Sequence, residues 1–438
     1  MLLWLGLSVS AGCVTTSMQT PTVELHHGAY ERVYDRVGDE VSDDRGSRRY
    51  VLDRLRTGVA ALDAGRVGAA EGYFDQVYDL LRTQGLNADR TVASVVLTEG
   101  VKIWKGEPFE QALGIAYFGI TRGVQGSWDN VRAASAASLF YLRDFAGKSS
   151  ASSDAPRPGA DGYWTIQDAS LGLTSAAQDA DGGLDEVMAG GYVAERSDFT
   201  LGYLLHGAAS LQLGERAEGR AYLAAATAVD PRLRSVARTI ERGQYNALLV
   251  VGYGIGPVKQ AYGPAESLTR FAPMTPSGDQ MLVVEVDGRE VGRYPVVLDV
   301  NRMASDHRWN SLEDVRQAKA VLGEVALYTG LVAGAIAIEN RDENAAIVAG
   351  AALLTSAIMT ASARADVAYC DLFPQRFYVA PITVPYPGAN VWVRLSGLPR
   401  AYREVGVVPN PPPGYGASLV YTRVPTFGDL APKKTPAP

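Results

Sequence analysis

At 438 residues the chain is long enough for about two or three domains, and 47% hydrophobic with 20% charged residues is a globular composition. A formal net charge of -7 argues against nucleic acid as a main partner, because phosphate binding needs clustered Lys and Arg. The 2 cysteines, Cys13 and Cys370, are too few for a disulfide framework.

The chain begins with a short apolar run whose last residues are small, ending at Cys13. This resembles a bacterial lipoprotein signal (1–13), in which the cysteine is lipidated and becomes the mature N-terminus. Val14 follows the cysteine, not the Asp associated with inner-membrane retention, so the resemblance implies the outer membrane. Residues 14–29 begin polar and Pro-containing and suit a tether.

An α-helical repeat region is expected over 30–245. A short amphipathic helix carries Tyr30, Val33, Tyr34 and Val37 on one face. Arg48 and Arg49 sit beside Asp43 and Asp44 and read as a solvated face. Leu52, Leu55, Val59 and Leu62 then mark a helix, Gly65 breaks it, and Ala69, Ala70, Phe74 and Val77 mark a returning one. A second pair spans 108–142, with Gly126 at its turn. A Ser, Gly and Pro-rich insertion follows at 147–162. The third pair, 199–231, alternates small Gly207, Gly219 and Ala226 with bulky Tyr203, Leu211 and Leu223, and closes on Pro231. That alternation resembles a tetratricopeptide repeat, and three such pairs make a stacked array feasible.

Beyond Arg242 the texture changes to a β-rich region, 246–424, so the fold class is α+β. A buried strand and glycine-rich loop read over 246–260, and a hairpin over 281–300 turns near Asp287-Gly288. Further strands are expected at 376–381, 390–395 and 418–424, with a disordered tail at 425–438. Within this region lies an Ala/Gly-rich helical hairpin, 312–365. Its runs 321–338 and 345–363 would each be about 27 Å long, nearly enough to span a bilayer. Glu324 and a one-sided stripe of larger residues favour a water-soluble helix pair instead.

Together, Cys13, the stretch 105–112, the stretch 248–259 and the stretch 364–388 resemble a family of bacterial lipoproteins with tetratricopeptide-like repeats and no assigned catalytic role. The resemblance implies an envelope location and protein–protein contact, with no cofactor and no catalytic residues. Catalytic patterns are otherwise lacking. The four histidines make no zinc-protease spacing, and His206 reads as a packed interhelix residue. Gly147-Lys148-Ser149 lacks the first glycine of a phosphate loop. The stretch 252–257 has the wrong glycine spacing for a dinucleotide loop and reads as a bend.

The expected function is a non-catalytic, lipid-anchored envelope scaffold whose helical groove takes a partner protein or peptide, lined by exposed Tyr117, Arg122 and Tyr203. Two alternatives stand beside it. One is an envelope enzyme acting on peptidoglycan or polysaccharide; the other is a membrane-inserting component that uses 321–363.

Overall fold

A computed structural model describes residues 21–44, 47, 49–83, 104, 106–143, 198–262, 268–274, 280–304 and 367–427. The signal with Cys13, the insertion 147–162, the hairpin 312–365 and residues 428–438 lie outside them.

The fold is mixed α+β, with helices in the N-terminal half and sheets in the C-terminal part. The helices are α1 (Thr22–His26), α2 (Tyr30–Gly38), α3 (Tyr50–Asp63), α4 (Val67–Thr83), α5 (Pro108–Val124), α6 (Trp128–Arg143), α7 (Thr200–Gln212), α8 (Arg216–Val229), α9 (Arg234–Glu241) and α10 (Val300–Ala304). Each of α2 to α9 packs on its predecessor in the described chain, so the helices form a stack.

The stops are chemical. At the end of α3, Gly65 takes φ 75°, a left-handed conformation that a side chain resists. Its N–H reaches Leu62 O at 3.0 Å and the next N–H, from Arg66, reaches Ala61 O at 2.8 Å. Two carbonyls at the helix end are thereby satisfied. The same arrangement closes α5 at Gly126 and α7 at Gly214.

Small residues set how closely the paired helices approach. A Cβ on Gly207 would lie 2.8 Å from Leu223 Cγ, and one on Gly219 would lie 2.7 Å from Leu211 Cγ. Gly58 meets Phe74 in the same way. The small and bulky positions expected in the third pair, Gly207, Leu211, Gly219 and Leu223, thus interlock.

The strands among the described residues are β1 (Ala247–Tyr253), β2 (Val258–Tyr262), β3 (Leu268–Ala272), β4 (Leu282–Val286), β5 (Arg289–Tyr294), β6 (Leu298–Asp299), β7 (Arg376–Ile382), β8 (Asn390–Leu395), β9 (Leu398–Val407) and β10 (Ser418–Val424). One sheet has the order β10-β1-β7-β6, with β1 parallel to β10 and antiparallel to β7. A second has the order β5-β4-β8-β9, and β2-β3 form a separate ribbon. The β4-β5 turn is Asp287-Gly288, both at positive φ, as that pair predicts.

Strand alternation explains the layering. From β1, Leu248 and Val250 join the core under the helices, while Ala247, Leu249 and Val251 join the core between the sheets. Strand β1 is therefore buried on both faces, which is why its sequence is a continuous apolar run. The first sheet lies between a helical layer and the second sheet.

Two boundaries read from the sequence move. The region 30–245 and the region 246–424 are joined by a shared core, because the helices bury their apolar faces against β1, β7 and β10, while the two sheets enclose a second core between them. The expected tether ends earlier than residue 29, since α1 folds and buries Leu25. At the other end, Phe427 is pinned by its N–H to His26 O at 2.9 Å.

Candidate functional site

The stretches that carry the lipoprotein resemblance meet at the seam between the helices and the first sheet. Glu107 and Glu110 form a reciprocal cap on α5, with Glu107 N–H donating to Glu110 Oε2 at 2.9 Å. Glu110 Oε1 also accepts the Cys370 N–H at 2.8 Å, and Lys259 Nζ donates to Glu107 Oε1 at 2.7 Å. Trp104 Nε1 donates to Ala368 O at 2.9 Å. The cap of one helix thus holds the strap 367–375 and the start of β2.

Two buried arginines extend the seam. Arg56 on α3 donates to Asp371 at 2.7 and 3.2 Å and to Glu40 at 2.7 Å. Arg423 on β10 donates to Asp63 Oδ2, Leu372 O and Gly254 O, each at 2.6 Å. Tyr421 donates its hydroxyl to Asp63 Oδ1 at 2.7 Å, and the Tyr117 hydroxyl lies 3.0 Å from it. The glycine bend after β1 fits this arrangement. Gly254 takes φ 70°, and a Cβ on Gly256 would lie 2.8 Å from Phe373 O. Strand β2 follows the bend, so this loop has no helix N-terminus to receive a phosphate.

Burial governs the electrostatics. It pushes the Glu110 carboxyl up to about 7, against Lys259 and the two N–H donors. It also pushes the Cys370 thiol well up, helped by Asp371 and Glu110, so this cysteine is a neutral thiol and a poor nucleophile. Burial opposes the charge on Arg423, but Asp63 outweighs it and the guanidinium is held above its usual range. What this cluster does chemically is fasten: each buried carboxylate meets a cation or N–H donors, and the donors come from different layers. Among the described residues, no group of three or more His, Cys, Asp or Glu is placed to hold a metal ion.

The three predicted partner-contact residues are not brought together on an open face. Tyr117 is 0% exposed, packed among Phe74, Phe373, Phe377 and Tyr421. Tyr203 is 2% exposed, in the core beside Tyr222. The expectation that they line a groove is corrected, because β7, β10 and the strap occupy that face of the helices. Arg122 is the partial exception. It is partly exposed, pairs with Glu71, and donates to Asp75 Oδ1 at 2.8 Å. Cys13 lies outside the described residues. His206 is packed as expected, stacked 3.7 Å from Tyr222 and placed between Arg132 O and Glu218.

The seam residues missed from the sequence are Arg56, Asp63, Asp371, Tyr421 and Arg423. Strand-like 418–424 offered one sign, since a cation inside a buried strand needs a partner. No family model, curated protein or solved structure matches the chain.

Proposed function

We propose that the protein is a non-catalytic scaffold of the bacterial cell envelope, held in the outer membrane by a lipid on Cys13. In this reading its helices are a short tetratricopeptide-like array that presents a partner-binding surface. The interlocked Gly207, Leu211, Gly219 and Leu223 favour the repeat reading, as do Gly58 and Phe74 in the first pair. Because the chain's own sheet fills the face beneath α5 and α7, the partner takes an outward surface instead.

One observation carries this: the crest of the last helix of the stack. Helix α9 buries Val236, Ala237 and Ile240 and turns Arg234 and Arg238 to solvent, with Arg242 at its C-cap continuing the spacing. Residues four apart share a helix face, so the three cations form a row opposite the buried side. They have no ion-pair partner among the described residues, whereas neighbouring Arg220 and Arg232 are paired with Glu241 and Asp230. An unpaired arginine row on a chain of net charge -7 suits bidentate contact with carboxylates of an acidic partner protein.

The test is photo-crosslinking from Ser235 in intact envelopes. A defined protein adduct is expected, and it should vanish when Arg234, Arg238 and Arg242 are all changed to Glu. An adduct pattern unchanged by that variant, or no adduct at all, counts against the scaffold reading.

A further inference from the structure

We propose that the tip formed by α1 and Phe427 is a membrane-facing foot, which seats Val23 and Phe427 in the headgroup region of the bilayer that anchors the chain. The inference rests on the lipid-anchor reading and adds an orientation to it.

Val23 is 69% exposed and Phe427 is 50% exposed; exposed apolar side chains are informative where they gather at one place rather than singly. They sit at one place. Val23 and His26 are three apart on α1 and so share a face, and the Phe427 ring lies 4.8 Å from His26 and 5.9 Å from His27.

The tip is rigid underneath. Leu25 is buried, Tyr30 donates its hydroxyl to Arg423 O at 3.2 Å, and Gly28 lies where a Cβ would touch Pro425 Cγ at 3.2 Å. The two chain segments 21–30 and 423–427 are therefore stapled together, with Val23 and Phe427 exposed on them.

What covers this end follows from the chain leading to it. Cys13 and Pro21 are eight residues apart, a reach of at most about 28 Å when extended. A lipid on Cys13 holds the tip within that distance of the bilayer. An aromatic and a branched apolar side chain suit the interface, where Phe and Val lose contact with water without crossing the membrane. Two partly buried side chains add only about 1–3 kcal/mol together, so they set orientation while the acyl chains supply affinity.

The consequence reaches the rest of the fold. The tip adjoins the end of β1 at Tyr253, paired with Val424. Helix α9 leads into the other end at Ala247, about 20 Å away along the strand. With the foot seated, the arginine row lies at the opposite end of β1 from Val23 and Phe427.

The experiment uses acylated full-length protein in vesicles of phosphatidylethanolamine and phosphatidylglycerol. An environment-sensitive fluorophore is placed on Val23→Cys, Phe427→Cys or Arg238→Cys, and Cys370 stays unlabelled because it is buried. Blue-shifted emission and severalfold protection from iodide are expected at the first two positions and not at the third. A Phe427→Asp change should return the label at position 23 to water. Equal iodide access at all three positions, in protein whose mass shows the acyl group, overturns the foot and leaves the anchor standing. A mass without acylation overturns both.

Discussion

Glu110→Gln tests whether burial controls the seam. A carboxylate whose pKa rises from an ordinary 4.5 to about 7 binds its proton about 3 kcal/mol more tightly in the folded state than in the unfolded. The sign follows from the raised value. The stabilisation is fully present below about pH 4.5 and is lost as pH rises through about 7, because the folded seam then holds a buried charge. Gln cannot titrate, so the variant loses this dependence, and it gives up one acceptor to an N–H at a cost of about 1–2 kcal/mol. Cys370 is the built-in probe, buried and hydrogen-bonded through its N–H to Glu110. With Cys13→Ala it is the only thiol, given 2 cysteines in the chain. Its labelling rate, divided by that of a free thiol at the same pH, reports how often the strap opens. In the parent, opening should become on the order of a hundredfold more frequent between about pH 5 and pH 8, and in Glu110→Gln it should stay nearly flat. A parent-to-variant ratio that does not change with pH would falsify the assignment of the raised pKa to Glu110.

Three other outcomes follow from the packing. Asp63→Ala leaves Arg423 buried without its carboxylate and should cost about 3–5 kcal/mol in urea unfolding, whereas Arg122→Ala, a partly exposed site, should cost about 1 kcal/mol or less. Gly207→Ala drives a methyl into Leu223 and the Gly219 carbonyl and should cost about 1–2 kcal/mol by thermal melting, whereas Gly72→Ala, with open space around it, should gain about 0.5–1 kcal/mol. Tyr117→Ala should cost about 3–5 kcal/mol and slow folding or lower yield, as a core deletion does and the loss of a groove contact would not.

Much of the local structure was legible because local chemistry settles it. Gly65 and Gly126 end helices, Asp287-Gly288 turns a hairpin, and the β-branched runs at β1, β8 and β10 become strands. Strand β9 escaped notice. It lies at a sheet edge, with Pro399 and charged Arg400, Arg403 and Glu404 where an interior strand would be apolar. The two tyrosines were misplaced for a related reason. Helix α7 buries every residue from Thr200 to Ser210. A helix apolar on all sides is enclosed, and that pattern was present in the sequence.

The sequence by itself determined the α+β class and most of the longer helices and strands, since turns, caps and hydrophobic periods act over a few residues. It also carried the features behind the proposed anchor, Cys13 and the apolar run before it. Only the tertiary structure decided that the helices and the sheet are one body. Arg423 finds Asp63 across 360 residues and Arg56 finds Asp371 across 315. Such pairings leave no local trace, because a buried charge constrains only what must lie against it and not where along the chain that partner occurs.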